Sequence, residues 1–305
     1  MRDVSEVAFA ANDLEWAPIP RSQLDIERCL TSGQTFLWKR SASGRFIVAT
    51  HDTLMLLDPR ADGFFWATSP PDRWDHVATF FALDVDLAAL YRDWIRRDAR
   101  FAHYIRSAEG LRVLRQDPGA ALIAFICSAC NNVPRIQMLL RRLAVAVGHV
   151  PEVPWSEVMP LHPLPGDLRV LREADLRALG FGYRARYLSS LPVAGPADVG
   201  ALASLPYAEA RAQLMRIAGV GPKVADCVCL YGLGMAQVVP VDTHIRQYAV
   251  KHLAPDLAGR SLTPRHYDAL GSLFRGIMGP YAGWAQQYVY VYQRQVARSR
   301  PVVIR

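Results

Sequence analysis

Alternating apolar and polar residues mark the first ninety or so positions of the chain. QTFLWKR (34–40) and RFIVATH (45–51) are separated by SASG, a composition that predicts two strands around a tight turn. TLMLLDPR (53–60) and GFFWATS (63–69) follow with the same character. Together these segments predict an antiparallel β meander.

From about residue 84 the apolar residues recur at intervals of three and four. LDVDLAALYRDWIRRDARFAHYIRSA has this spacing, which predicts helix. The Pro-rich stretch 149–168 predicts a crossing between helical bundles. We therefore expect an α+β protein with an antiparallel β domain over 1–90 and a helical region over 91–305. Further helices are predicted over 119–129, 134–148, 172–180, 207–218, 223–233, 243–253, 264–279 and 283–299.

Composition limits the class of protein. The chain has 305 residues, of which 51% are hydrophobic, so it can bury a sizeable core, but no apolar run is long enough to span a membrane. Acidic residues stand at the N-terminus where a secretory signal would be basic, so we expect a cytoplasmic protein, or a nuclear one in a eukaryote. A net charge of +7 permits a polyanionic partner.

The cysteines give little support to a metal site. Cys127 and Cys130 form a CxxC, but no second pair with metal-ligand spacing lies nearby, and the total of five is odd. We expect reduced thiols and no metal.

The segment LMRIAGVGPKVADCV (214–228) predicts two helices joined by a tight hairpin. Gly219 and Gly221 can adopt φ > 0 and allow another backbone to approach, and Pro222 suits the first turn of a helix. Backbone N–H groups of Gly219, Val220 and Gly221, together with the helix dipole, could bind a phosphate. The same residues also fit an ordinary turn between helices.

Lys223 follows this hairpin in a chain that has only three Lys among its 35 Lys and Arg residues. Arg stays protonated and is a poor nucleophile. A helix N-terminus and partial burial both lower a Lys pKa, so we expect a neutral amine able to attack a sugar carbon and form a Schiff base. Asp242 precedes a later helical run, where it could cap the helix or stabilise positive charge developing on the sugar.

Six segments, in order along nearly the whole chain, resemble the 8-oxoguanine DNA glycosylase/AP lyases of the helix–hairpin–helix superfamily. The resemblance implies a TATA-box-binding-protein-like β domain before two helical subdomains, and an enzyme that flips the damaged base into a pocket. It also implies β-elimination after base removal, and no cofactor. The segments are SGQTFLW (32–38), LRQDPGAALIAFICSACNNVPRI (114–136), LGFGYRARYLSS (179–190), GVGPKVADCVCL (219–230), VPVDTHI (239–245) and GPYAGWAQQYVY (279–290).

Within this resemblance, Lys223 matches the nucleophile and Asp242 the catalytic carboxylate. Gly33 matches the glycine whose carbonyl accepts the N7–H of the oxidised base, and Gln286 matches the residue that reads the guanine edge. If the family resemblance is set aside, an ordinary turn glycine is the favoured interpretation of Gly33. For Gln286, a buried amide that is hydrogen-bonded to the backbone is then as good an interpretation as a base-reading residue.

Further positions match the walls and rim of the family's pocket. Cys227 and Tyr290 match the two sides of the sandwich around the flipped base, with Tyr290 in place of the usual Phe. His244 matches a phosphate contact, and Gln293 stands where the family often has an Asp near this histidine. Each of Cys227, Tyr290 and His244 is also compatible with a purely structural role.

The duplex side of the resemblance involves Asn131, Asn132, Arg135, Tyr183 and Arg184. A ring beside guanidinium groups suits an unstacked site, where the ring wedges and Arg reads the orphaned base. A helix cap and a solvated basic face would explain the same residues. The family's run of three Asn begins here with Cys130, which leaves the selectivity for the opposite base open.

The resemblance implies a monomer acting on double-stranded DNA that contains an oxidised purine. A related glycosylase for another purine lesion, and a non-catalytic DNA-binding module, are the alternatives. The module would need the hairpin but neither Lys223 nor Asp242.

Overall fold

Five antiparallel strands form the N-terminal sheet in a computed structural model that describes residues 14–149, 159–194 and 198–299. The strand order is β1-β5-β4-β3-β2, so consecutive strands β2 to β5 form the predicted meander. The prediction for this region is confirmed. The strands are β1 (Glu15–Ala17), β2 (Trp38–Arg40), β3 (Phe46–Ala49), β4 (Leu54–Pro59) and β5 (Phe64–Ser69).

The sequence did not predict strand β1 at the edge of the sheet. It has three residues, and Trp16 pairs with Phe65 of β5. Three residues are too few to show an alternating pattern, so only the pairing partner defines this strand. Two short helices of the same region, α1 (Ile26–Thr31) and α2 (Trp74–Phe80), were also not predicted.

The remainder of the described chain is helical, as predicted. The longest predicted helix, over residues 83–108, is interrupted at Asp98, whose extended backbone separates α3 from α4. The stretch 184–194 also forms a helix that the apolar spacing did not indicate. The helices are α3 (Leu87–Arg97), α4 (Phe101–Ser107), α5 (Pro118–Ser128), α6 (Val133–Ala146), α7 (Glu173–Ala178), α8 (Arg184–Ala194), α9 (Tyr207–Leu214), α10 (Pro222–Tyr231), α11 (Thr243–His252), α12 (Pro264–Met278) and α13 (Ala282–Ser299).

Helices α5 and α10 pack against each other at the centre of the helical region. Residues 119–127 of α5 are all buried, which explains their almost unbroken apolar sequence. The rings of Phe125 and Tyr231 stack with their centres 5.3 Å apart. A Cβ at Gly232, just after α10, would lie 3.0 Å from the Pro118 Cα, so glycine permits this close approach. The pair forms a rigid base for the start of α10.

Part of the predicted Pro-rich crossing, residues 150–158, lies outside the described residues. The part that follows contains a short 3₁₀ helix over Pro165–Val170. Among the described helices, none has the length and apolar character needed to cross a lipid bilayer. The division into domains at residue 90 stays a prediction.

Candidate active site

One small cavity brings together six of the residues predicted for the site. It lies among the turn after α1, helices α5 and α10, the segment before α11, and α13. Its volume is about 50 Å³, which holds a few waters but not a two-ring purine. The six predicted residues that line it are Gly33, Lys223, Cys227, Asp242, Gln286 and Tyr290.

The glycine hairpin sets the direction in which α10 begins. Gly219 has φ +85°, and a Cβ there would lie 2.5 Å from the Tyr187 ring, so both conformation and space require glycine. Gly221 is the N-cap of α10 and has φ −91°, so it does not use the positive φ that the sequence allowed, whereas Pro222 occupies the first turn of α10, as predicted. The next residue, Lys223, directs its amine into the cavity, 5.3 Å from the centre of the Phe125 ring.

The expected low pKa of Lys223 is wrong. Burial favours the neutral amine, but the Cys227 sulfur and the Asp242 carboxylate outweigh it and raise the pKa of Lys223 above its usual value. Burial also raises the pKa of the Cys227 thiol to about 11, so this thiol is protonated at neutral pH. Without DNA, the amine is a protonated cation that must lose its proton before it can attack.

Asp242 is the predicted helix cap, and the same side chain also lines the cavity, where its catalytic role stays a prediction. Its Oδ1 accepts a hydrogen bond from the Ile245 N–H at 2.8 Å, which makes it the N-cap of α11. The cap fixes the side chain, so the carboxylate lies opposite Lys223 without further support from the cavity.

Adjacent glutamines of α13 differ in how their amides are satisfied. Gln287 accepts from the Tyr231 hydroxyl at 2.7 Å and donates to the Ser32 carbonyl at 3.1 Å. Gln286 is equally buried, yet its Oε1 has no hydrogen-bond partner among the described residues. A buried oxygen without a partner is costly, so Gln286 is an acceptor available to a ligand that enters the cavity.

The Gly33 turn is held in place by Gln34, a residue that the sequence analysis missed. Gly33 has φ +80°, and a Cβ there would lie 3.2 Å from the Tyr290 hydroxyl. The fully buried Gln34 amide donates to the Ser32 hydroxyl at 2.8 Å and accepts from the Leu114 N–H at 2.9 Å. These bonds tie the turn to the segment that leads into α5.

His244 packs beside Tyr290 at the rim of the cavity. The two rings are perpendicular, with their centres 5.6 Å apart. The buried Nδ1 of His244 has no hydrogen-bond partner within the described part of the chain. This agrees with the absence of a carboxylate at Gln293, and it leaves the histidine oriented by packing rather than by an acceptor.

A second group of predicted residues surrounds the turn after α5. Tyr183 donates its hydroxyl proton to the Ala129 carbonyl at 3.1 Å, and Arg184 donates to the Ala129 and Cys130 carbonyls. The Arg184 guanidinium lies 4.5 Å from the centre of the Tyr183 ring. Arg184 is buried, whereas half of the Tyr183 surface is exposed. In the DNA-free protein Arg184 thus orders the turn, and Tyr183 projects from it.

The asparagines of this turn have local partners. Asn132 is the N-cap of α6 and accepts from the Arg135 N–H at 3.1 Å, while Asn131 donates to the Cys127 carbonyl at 2.9 Å. The Arg135 side chain is exposed and reaches the Gly180 carbonyl at 3.5 Å. Cys130 is exposed with φ +48°, an uncommon conformation for a residue other than glycine.

Five further residues that line the cavity were not predicted. The sequence around each of them is typical of an ordinary core or turn position, and only the direction of the side chain in the fold places it at the cavity. In the described parts of the chain, no three His, Cys, Asp or Glu residues lie close enough to hold a metal ion. The missed residues are Ser32, Phe125, Tyr231, Pro240 and Gln287.

Comparison with known proteins gives consistent matches. Residues 17–122 match the family described as 8-oxoguanine DNA glycosylase, N-terminal domain. The N-glycosylase/DNA lyase OGG1 of Arabidopsis thaliana is 34% identical over 91% of this chain and 80% of its own. The N-glycosylase/DNA lyase of Saccharomyces cerevisiae is 33% identical over 70% of this chain and 65% of its own. The solved structure of MBOgg1 with a low-affinity DNA ligand has a TM-score of 0.80 and 25% identity, covering 93% of this chain and 99% of that one.

A glycine hairpin that places a lysine in the same cavity as a helix-capping aspartate, in a chain with an N-terminal antiparallel sheet, defines a helix–hairpin–helix DNA glycosylase. Within that class, the chain belongs to the 8-oxoguanine DNA glycosylase family.

Proposed function

We propose that this DNA glycosylase and AP lyase excises 8-oxoguanine paired with cytosine from duplex DNA, with Lys223 as its nucleophile. The observation that carries the proposal is a single cavity in which the Lys223 amine, the Asp242 carboxylate and the unpartnered Gln286 oxygen meet. The Arabidopsis and yeast relatives, both named N-glycosylase/DNA lyase, support it.

The two charged residues have complementary tasks in this reaction. After Lys223 loses its proton, its amine attacks C1′ of the sugar, and the electrons of the N-glycosidic bond leave with the base, which takes up a proton. Asp242 stabilises the positive charge that develops on the sugar as this bond breaks. Opening of the sugar ring gives an iminium between Lys223 and C1′. Loss of a C2′ proton then expels the 3′-phosphate, and water releases the lysine.

Base recognition falls to four other residues that line the same cavity. Gln286 reads the Watson–Crick edge with its free oxygen, and the Gly33 carbonyl accepts the N7–H found only on the oxidised base. Cys227 and Tyr290 form the two walls. Since about 50 Å³ does not hold a purine, a wall of the cavity must move when the base enters.

The remaining predicted residues hold the duplex. Tyr183 wedges into the stack from its exposed position, and Asn131, Asn132, Arg135 and Arg184 contact the orphaned base or its backbone. The hairpin at 219–221 and His244 bind phosphates through backbone N–H groups and the imidazole. We further propose that the protein acts as a monomer, at the nucleoid or in the nucleus, where its substrate lies.

Borohydride trapping on a duplex containing 8-oxoguanine tests the nucleophile. Lys223→Gln should abolish both base release and the covalent adduct, while specific binding remains, because the amine is lost and the cavity keeps its walls. Lys251→Gln is the matched control, since Lys251 is exposed near the end of α11 and lies outside the cavity. An adduct that persists in the Lys223 variant, or disappears in the Lys251 variant, contradicts the assignment.

A further inference from the structure

Asp226 lies on α10, one turn after Lys223, and is 1% exposed. Its Oδ1 accepts from the Tyr207 hydroxyl at 2.8 Å, and its Oδ2 accepts from the Tyr267 hydroxyl at 2.7 Å. The Arg211 guanidinium lies 3.0 Å from Oδ1. A buried carboxylate is stable only when it is paired and hydrogen-bonded, and Asp226 has three partners from α9 and α12. This carboxylate does not line the cavity.

The Tyr267 hydroxyl connects this carboxylate to the catalytic segment. It donates to Asp226 and accepts a hydrogen bond from the Val241 N–H at 3.1 Å. Val241 immediately precedes Asp242, which is itself fixed on its other side by the Ile245 N–H. The backbone just before Asp242 and the Asp242 carboxylate itself are thus each held by a hydrogen bond.

These contacts join the two halves of the proposed chemistry. Asp226 belongs to the helix that carries Lys223, and the Tyr267 hydroxyl that donates to it accepts a hydrogen bond from the N–H of Val241, the residue before Asp242. A hydroxyl that donates to a carboxylate becomes a better acceptor, which strengthens the bond from Val241. The separation between amine and carboxylate is therefore set by hydrogen bonds outside the cavity as well as by packing within it.

We propose that Asp226 and Tyr267 are positioning residues that hold Asp242 at its working distance from Lys223. The inference rests on the proposed function, in which Asp242 stabilises the charge on the sugar. This inference gives the Asp226 carboxylate a role in base excision, although neither Asp226 nor Tyr267 touches the base or the reacting atoms.

Two tyrosine variants provide a matched comparison. Tyr267→Phe removes one hydroxyl from Asp226 and also releases the Val241 N–H. Tyr207→Phe removes the other hydroxyl from the same carboxylate and leaves the bond to Val241 in place. If Asp226 had only a structural role, both variants would lower thermal stability and activity to a similar extent.

The rates of base excision and of abasic-site trapping distinguish misplacement of Asp242 from a general loss of protein structure. Base excision requires charge stabilisation on the sugar, whereas trapping on a preformed abasic site requires only Lys223 and an aldehyde that is already present. Under single-turnover conditions, Tyr267→Phe should slow excision by about tenfold, as small misplacements of catalytic groups do. Trapping on the abasic duplex should change by less than about twofold. Tyr207→Phe should slow excision by less than about threefold at a similar loss of thermal stability.

Several outcomes would overturn the inference. Equal slowing of excision by the two variants, or equal slowing of both steps by Tyr267→Phe, would assign the network a structural role only. If Tyr267→Phe does not fold, Asp226→Asn replaces it, since the amide oxygen still accepts from Tyr267 but without the charge. It should slow excision by about threefold and spare abasic trapping, and unchanged excision contradicts the proposal. A wild-type protein that releases no 8-oxoguanine would instead refute the proposed function itself.

Discussion

At the scale of single residues, the side chains around Lys223 decide how readily its amine loses a proton. A helix N-terminus and burial both argued for a neutral amine. Cys227, one turn further along the same helix, and Asp242, which only the fold brings near, outweigh them and raise the pKa of Lys223. Nineteen positions separate Lys223 from Asp242 in the sequence, so no local pattern could give the strength of their interaction.

The raised pKa of Lys223 predicts a long alkaline limb in the activity profile. Only the neutral amine attacks, so below the pKa the rate at subsaturating enzyme should rise about tenfold per pH unit. Because the pKa lies above its ordinary value of about 10.4, the rise should continue to at least about pH 10.

Measuring base release and DNA affinity at each pH separates this effect from weaker binding. A plateau that begins below about pH 9 would show that the amine is already neutral in the free enzyme.

At the scale of secondary-structure elements, long periodic segments were predicted well, and short elements that depend on partners were not. Helices α5, α10 and α13 lie within about two residues of their predicted bounds. Strand β1 and helix α1 are too short to show a period, and the break at Asp98 depends on local backbone geometry. Six residues of the cavity were predicted from the resemblance. Gln34 was missed because only its hydrogen bonds distinguish it from a turn residue.

The turn after α5 gives a prediction about Cys130. Its φ of +48° is strained for cysteine, and Asn tolerates this region better. Cys130→Asn should therefore raise the free energy of unfolding by about 0.5–1 kcal/mol. If its amide also reaches the orphaned cytosine, selectivity for cytosine over adenine should rise by roughly a few-fold, the equivalent of one hydrogen bond.

Cys130→Gly separates the two effects, because glycine relieves the backbone strain but offers no amide. The measurements are thermal unfolding and single-turnover excision opposite cytosine and adenine. A gain in selectivity with Gly as large as with Asn would show that the turn conformation matters rather than the side chain.

At the scale of the whole molecule, charge and architecture together suit a duplex. The chain carries a net charge of +7, and its sheet and helices match MBOgg1 over nearly the whole length of both chains. Composition alone permitted any polyanion. Under the proposed function, the hairpin, the exposed Tyr183 and the cavity narrow the choice of polyanion to duplex DNA, because they serve as separate sites for a phosphate, a stacking wedge and a flipped base.

This arrangement predicts a strong dependence of binding on salt. Phosphate contacts release counterions, so affinity for a lesion duplex should fall by at least about tenfold between roughly 50 and 200 mM salt. Fluorescence anisotropy over this range gives the slope of log affinity against log salt. A slope near zero would argue against phosphate contacts by the hairpin and the arginines.

The small cavity also bears on how the enzyme searches a chromosome. Almost every base pair it meets is intact, and a pocket that stood open would detain each guanine that happened to swing out. Here the Tyr290 hydroxyl lies against Gly33, and the remaining space holds only a few waters. An intact guanine and its oxidised form are both purines, so this space admits neither until a wall of the cavity moves. Under the proposed function, only the oxidised base offsets that movement by donating its N7–H to the Gly33 carbonyl, so an intact guanine returns to its partner more often.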